Sequence, residues 1–568
     1  MIDRFITRRR KYPVALWLSS AVVVTIVRYL GAADPGYDLG IQLQAAYNLL
    51  AGRGLSLYQH AQNLTGPSSL ITLTYFPSGY SLLAAALMCV GLSLGTTVKL
   101  LGAAGTLLGW WGWGRLSRPF IEDGLKRGPV WKWGSVTVSV ATPLLFTPPW
   151  GGTDIFLWAT VPWVVIFLGS ASSDTSRNDR SIDGFTGGLC GLALLFRYAS
   201  LFLAIYAATV ILWQSQLRLG SLARRWTVFG AGMLPAVTLQ GYINYVLSHS
   251  SAAPGGLFSA THRDLMQRLV DGIRLVHHAN YLWAFWVPGK IATLLFAAPV
   301  GAFPWRGGVA FLGLVLLLLV AKTYLVDAKT TAQDPRILAL GLFVAVPLVL
   351  LACMTLSSTN YVAERRYYWP IVPLSVLVAY SIASIGATRP LRALNFCRTV
   401  CSLYLIGYVG MSLVYLVFLF VPGRIGTSQR EKLFAGAVHH WPSTAIGYEY
   451  SAARGSVMQL LNEHPERPLL TSTAGAFYWD PAVNGSKLFE LQCDRPEASY
   501  VDGPARLVIL TFDVGEPQQV WSWGYAGPQR SYCFERLPHL KLLRRFPDEG
   551  LKLLEAHIDA GERIVLKP

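Results

Sequence analysis

Apolar stretches of about 18–23 residues recur through the first 421 residues of the chain, each long enough to cross a hydrocarbon core of about 30 Å as a helix. They lie near residues 12–30, 97–116, 133–149, 155–171, 184–199, 200–216, 226–248, 308–325, 337–356, 369–386 and 399–421, which makes eleven spans. Two further stretches, near 76–95 and 288–304, are ambiguous. The chain is 53% hydrophobic and 14% charged, against about 25% charged in an ordinary soluble domain. That balance points to a polytopic α-helical membrane protein and excludes a disordered chain.

The formal charge of +17 is unevenly spread. Residues 1–421 carry 32 basic and 14 acidic side chains, hence +18, and residues 422–568 carry 16 and 17, hence −1. The basic excess therefore records membrane orientation. It does not point to nucleic acid, because no long Lys/Arg run with interleaved aromatics occurs. Arg4, Arg8, Arg9, Arg10 and Lys11 precede the first span and place the N-terminus in the cytoplasm. No clear small-residue cleavage site follows, so the first span reads as an anchor. If 76–95 and 288–304 lie in or dip into the outer face, ten basic residues from Arg115 to Arg225 fall inside. A thirteen-span arrangement moves all ten outside and keeps both chain ends where they are.

The eleven-span reading divides the chain at residue 421. Residues 1–421 form a transmembrane domain and residues 422–568 an extracytoplasmic α/β domain of ordinary domain size. In the tail, Pro468–Thr473 and Leu507–Phe512 read as buried strands, and Ser456–Glu463 and Gly550–His557 as helices. Cys493 and Cys533 are the two cysteines of the tail, and an oxidising outer compartment would let them pair as a disulfide.

Scarcity makes the carboxylates of the first 421 residues informative. Asp34 and Asp38 follow the first span, Asp154 stands at the outer mouth of the third and fourth, and Glu364 lies in the last outer loop. Arg197, Arg365 and Arg366 fall on the same side. Arg197 has apolar neighbours in Leu194-Leu195-Phe196-Arg197-Tyr198. A charge at mid-membrane costs about 2.5–3.5 kcal/mol and marks a pathway or site; snorkelling to the interface is the plainer alternative. In the first loop, Ile41, Ala45, Leu49 and Leu50 recur at helical spacing, with Gly52 or Gly54 as the stop. From periodicity alone, Asp38 at the start of that helix reads as an N-cap or first-turn residue. His277 and His278 lie in the amphipathic outer stretch Leu265–Asn280 and read as an interfacial helix face, with contact to donor phosphate or a cation as the alternative. His439-His440 shows no partner at metal-ligand spacing, and no nucleotide-binding fingerprint occurs in a strand–helix context. Gly187-Gly188 suits close helix packing.

An aspartate after the first span, Ala46-Tyr47-Asn48-Leu49-Leu50-Ala51-Gly52-Arg53-Gly54, and Tyr75-Phe76-Pro77-Ser78-Gly79-Tyr80-Ser81-Leu82-Leu83 together resemble the GT-C superfamily of membrane glycosyltransferases. Gly152-Thr153-Asp154 resembles the acidic second outer loop of that superfamily. Phe196-Arg197-Tyr198 and Glu364-Arg365-Arg366-Tyr367-Tyr368-Trp369-Pro370 resemble two of its later elements. The likeness runs in order through the whole membrane part and extends to protein O-mannosyltransferases and aminoarabinose transferase-like enzymes.

The resemblance implies a transferase in a bacterial inner or plasma membrane that takes a sugar from a polyprenyl-phosphate carrier. The acceptor would be a lipid, glycan or protein on the outer face. It implies that Asp38 is the catalytic base, with Asp34 second, and that Arg365, Arg366 or Arg197 meets the donor phosphate. Asp154, Glu364 and Tyr80 are then candidates for acceptor or cation binding, with an interfacial anchor as the alternative for Arg365-Arg366 and a helix cap as that for Asp154. The sequence departs from the family where a glutamate after the aspartate is replaced by Leu39 and a double proline by Pro77-Ser78. The first departure leaves use of a divalent cation open. A transporter or flippase of lipid-linked sugar is the rival reading, though no internal repeat of the kind transporters carry is visible.

Overall fold

The computed structural model describes residues 12–26, 37–60, 68–74, 76–125, 129–146, 152–170, 177–216, 218–247, single positions between 337 and 406, 451–464, 467, 469–471, 488–490, 499–512, 537, 539–546 and 551–566. The stretches at 288–304 and 308–325 lie outside these residues. In chain order the described helices are α1 (Tyr12–Thr25), α2 (Tyr37–Leu50), α3 (Gly79–Cys89), α4 (Leu94–Leu125), α5 (Pro129–Phe146), α6 (Thr153–Ser170), α7 (Arg177–Phe196), α8 (Leu201–Gln214), α9 (Leu219–Gly241) and α10 (Ser451–Glu463). The strands are β1 (Ser56–His60), β2 (Ser68–Thr72), β3 (Leu469–Thr471), β4 (Leu488–Glu490), β5 (Ser499–Asp502), β6 (Ala505–Phe512), β7 (Lys541–Phe546), β8 (Leu551–Ile558) and β9 (Arg563–Leu566). The chain divides into two compact units. One comprises Met1–Leu30, Thr74–Pro77 and Leu101–Pro442; the other comprises Gly31–Leu73, Ser78–Leu100 and Ser443–Pro568.

Tryptophan and glycine set the packing of the first unit. Trp17, Trp110 and Trp158 stack edge to face at centroid distances of 5.5 and 4.8 Å, and Trp17 Nε1 donates to the Trp110 carbonyl at 2.9 Å. These are geometries that the ring quadrupole favours. Helices α7 and α9 touch backbone to backbone. A Cβ added at Gly187 would stand 2.0 Å from the Phe229 carbonyl oxygen, and one at Gly232 the same distance from that of Gly184. Gly187→Ala is therefore expected to force the two helices apart and destabilise the protein by about 1–3 kcal/mol. Gly230→Ala, with open space at its Cβ, should be neutral or slightly stabilising because alanine is the better helix former. Thermal unfolding of both variants in detergent checks the contrast.

Helix ends do not coincide with the ends of the apolar stretches. Helix α7 starts at Arg177 and α4 runs on to Leu125, beyond the predicted 184 and 116. Apolarity reports what must avoid water, whereas a helix continues through polar turns such as Arg177–Asp183. Among the described residues one helix, Thr153–Ser170, is by length and composition apolar enough to cross a membrane. In the ambiguous stretch 76–95, α3 has 11 residues, a rise of about 16 Å and roughly half a hydrocarbon core.

In the second unit, α2 ends as its glycines predict. The Gly52 amide reaches the Leu49 carbonyl at 3.1 Å and the Arg53 amide the Asn48 carbonyl at 2.8 Å. Gly52 has φ +74°. These are the paired bonds of a Schellman cap. A β1–β2 hairpin follows, and Ser81 on α3 donates to the Gln42 carbonyl on α2 at 2.8 Å.

The tail strands form a five-stranded mixed sheet of order β4-β3-β6-β8-β7, with β5 and β9 paired separately. The helix expected at Gly550–His557 is instead strand β8, antiparallel to both β6 and β7. Its Leu, Lys, Glu and Ala favour a helix. Tertiary pairing overrides that preference, because Leu554, Ala556 and Ile558 alternate onto the face that meets Leu507 and Ile509 in a common core. The expected strands at 468–473 and 507–512 and the helix at 456–463 correspond to β3, β6 and α10.

Candidate functional site

The site in the first unit begins with a break between two helices. After Phe196 the backbone of Arg197 is extended (φ −151°, ψ 123°), and Tyr198–Ser200 make one 3₁₀ turn before α8. The Arg197 amide still closes on the Ala193 carbonyl at 2.8 Å, and the Ser200 amide closes on that of Arg197 at 2.9 Å. The break thereby displays two successive polar side chains, Arg197 and Tyr198, at the junction of two apolar helices.

Arg197 Nε lies 3.1 Å from Asp154 Oδ1, and both side chains are more than nine-tenths buried. The contact is a buried ion pair. Arg197 Nη1 reaches Thr153 Oγ1 at 3.4 Å, and its Cζ stands 5.4 Å from the centroid of the Phe76 ring, within cation–π range. Asp154 occupies the first turn of α6, directly after Gly152 at φ +70°, where the helix dipole also favours a carboxylate. Phe156 and Phe196 stack at 4.3 Å beside the pair.

Tyr198 is the second hub. Its hydroxyl donates to the Thr74 carbonyl at 3.2 Å and accepts from Gln240 Nε2 at 3.1 Å and Asn244 Nδ2 at 3.2 Å. Gln240 Nε2 also donates to Asn244 Oδ1 at 2.8 Å. Asn244 belongs to a π-wound turn, Tyr242–Leu247, that continues α9, a distortion common at functional positions. Arg197 and Tyr198 thus both hold the segment that carries Thr74 and Phe76, one through the Phe76 ring and the other through the Thr74 carbonyl. Chemically the cluster offers one guanidinium suited to an anion and amides and a phenol suited to hydroxyl groups.

Of the residues singled out in sequence, Asp154 and Arg197 meet directly. Asp38 lies in the first turn of α2, and Tyr80 is buried near the start of α3, both in the second unit. Asp34, Glu364, Arg365, Arg366, Cys493, Cys533 and the histidine pairs at 277–278 and 439–440 lie outside the described residues. Among the described residues no three His, Cys, Asp or Glu side chains gather to hold a metal. Asp154 itself faces a guanidinium, which repels a divalent cation. Sequence reasoning missed Gln240 and Asn244, and had Thr153 only as part of the Gly152-Thr153-Asp154 motif. Two amides one turn apart inside the apolar stretch 226–248 were the available signal.

No family model matches the sequence, and no curated protein matches it. Among solved structures, the chain is similar to ArnT from Cupriavidus metallidurans bound to undecaprenyl phosphate. The identity is 14% and the TM-score 0.46, over 97% of this chain and 99% of that one. The apo state of the same protein gives 13% and 0.44, over 95% and 97%. The Archaeoglobus fulgidus oligosaccharyltransferase in complex with Zn and sulfate gives 11% and 0.41, over 83% of this chain and 62% of that chain.

Proposed function

We propose that this chain is a membrane glycosyltransferase of the GT-C type, which moves a sugar from a polyprenyl-phosphate donor to an acceptor on the extracytoplasmic face. One observation carries the reading. Three segments that resemble separate motifs of that superfamily, at Phe76, Thr153-Asp154 and Arg197-Tyr198, come into contact around a buried arginine. A buried charge inside an apolar helical unit is costly and is a mark of function.

In the proposed reaction the acceptor hydroxyl oxygen attacks the anomeric carbon from the side opposite the phosphate. Asp38 takes the hydroxyl proton, the new C–O bond forms, and the old bond breaks with its electron pair passing to the departing polyprenyl phosphate. The anomeric centre is inverted. A base held at about 2.6–3.2 Å contributes about 10²–10⁴-fold. Arg365 or Arg366, with Arg197, neutralises the charge growing on the phosphate through charge-assisted hydrogen bonds. The C-terminal α/β region helps to bind the acceptor or close the site.

Arg197→Gln tests the donor role. Its affinity for undecaprenyl phosphate, measured on purified protein in detergent, is expected to fall by about tenfold or more, the scale of a lost charge-assisted hydrogen bond. Unchanged affinity in a folded variant contradicts the assignment.

A further inference from the structure

The exposed stripe of α4 changes character along the helix. Leu107, Leu108 and Trp111 are exposed, and Arg115 and Arg118 continue the row at helical spacing. From Leu107 to Arg115 the stripe rises about 12 Å, within the roughly 15 Å that one leaflet contributes to the hydrocarbon core. The row thus passes from side chains that suit acyl chains to side chains that suit headgroups. The two arginines are held differently. Arg118 Nε donates to Glu122 Oε1 at 2.7 Å, an ion pair one turn apart. Arg115 is set against rings: its Cζ lies 5.7 Å from the Trp111 centroid and 5.9 Å from that of Trp163 on α6, both within cation–π range. The two indoles meet edge to face at 5.2 Å, and Trp163 Nε1 donates to the Leu108 carbonyl at 3.1 Å. Gly112 permits the approach, since a Cβ there would stand 2.8 Å from Trp163 Nε1. The arginine and its two rings are therefore built across two helices that touch closely.

A ring takes up the flat face of a guanidinium, whereas the N–H donors lie in its plane and bind phosphate oxygens in pairs. We infer that Arg115, Trp111 and Trp163 form a binding site for an anionic phospholipid of the leaflet at the C-terminal end of α4, the inner leaflet in the eleven-span arrangement. The phosphodiester sits on the guanidinium, and an acyl chain lies along Trp111, Leu108 and Leu107. Net charge selects the lipid. Lys126, Arg127 and Lys132 follow in sequence; such a basic surround attracts a singly negative headgroup and disfavours the ammonium of a zwitterionic one. The site depends on α4 lying in a membrane and not on glycosyl transfer, so it stands or falls apart from the transferase reading.

Phosphatidylglycerol is the probe, titrated into purified full-length protein in neutral detergent, with phosphatidylcholine of the same acyl chains as the reference. Native mass spectrometry of the lipid-bound protein gives Kd, and the lipid-induced rise in Tm is the second readout. The parent protein is expected to bind phosphatidylglycerol about tenfold more tightly than phosphatidylcholine, the scale of a hydrogen bond to a charged group. Arg115→Gln should lose that preference. Arg115→Lys keeps the charge but not the planar fork, and should bind phosphatidylglycerol about threefold more weakly or worse. Trp111→Leu keeps both the charge and an apolar side chain, removes one ring, and should weaken binding about two- to fivefold.

Equal affinity of the parent protein for the two lipids overturns the site. So does parent-like binding by R115K, because a diffuse basic surface needs only the charge, whereas the site needs the fork. Displacement of phosphatidylglycerol by an equal concentration of undecaprenyl phosphate also overturns it, since the rings and arginine would then belong to the carrier. Arg115 is exposed, so its variants are expected to fold. If they do not, W111L decides, and affinity unchanged in that variant overturns the proposal.

Discussion

On the proposed mechanism, Asp38→Asn is expected to lower sugar transfer by about 10²–10⁴-fold while the protein stays folded. Proton removal from an acceptor hydroxyl needs a group that can take the proton, and an amide cannot. The substitution also separates the catalytic role from the helix-stabilising one. Asp38 stands in the first turn of α2, where a negative charge gains about 0.3–1 kcal/mol from the helix dipole. Asparagine keeps the capping capacity of aspartate, so a purely structural Asp38 would leave activity near normal in this variant. Transfer assays on D38N at matched protein level distinguish the two.

Arg225→Gln gives the second large effect, on stability. It strands the Asp183 carboxylate, whose side chain is 1% exposed, and removes both bonds of the fork. Breaking a buried pair from one side costs about 3–5 kcal/mol. The double variant D183N/R225Q leaves no unpaired charge and should recover most of that loss. Thermal unfolding in detergent reads the difference; a double variant as unstable as the single one would mean that the helix contact, not charge, is at stake.

Features set by local physics were legible in the sequence. The stop of α2 is one, because Gly52 and Gly54 follow a clear helical pattern and both adopt positive φ. Asp154 and Arg197 are another, because charge is so scarce in the first 421 residues that each isolated one stands out. Features that depend on distant contacts were not legible. Asp154 and Arg197 are 43 positions apart, and nothing in either segment names the other as partner. Arg225 read as one more inward-facing basic residue, although it is locked on Asp183 across 42 positions. Strand β8 carries helix-forming residues and becomes a strand because β6 and β7 pair with it on both sides. Gln240 and Asn244 carry no charge to draw attention, yet they hold Tyr198.

The most direct measurement is mass spectrometry of lipid-linked sugars from membranes that contain the protein, lack it, or carry only D38N. Glycosyl transfer from a polyprenyl-phosphate donor predicts that one polyprenyl-phosphate sugar accumulates when the protein is absent, and equally with D38N, while it is consumed with the parent protein. A lipid-linked pool identical in all three membranes contradicts the account.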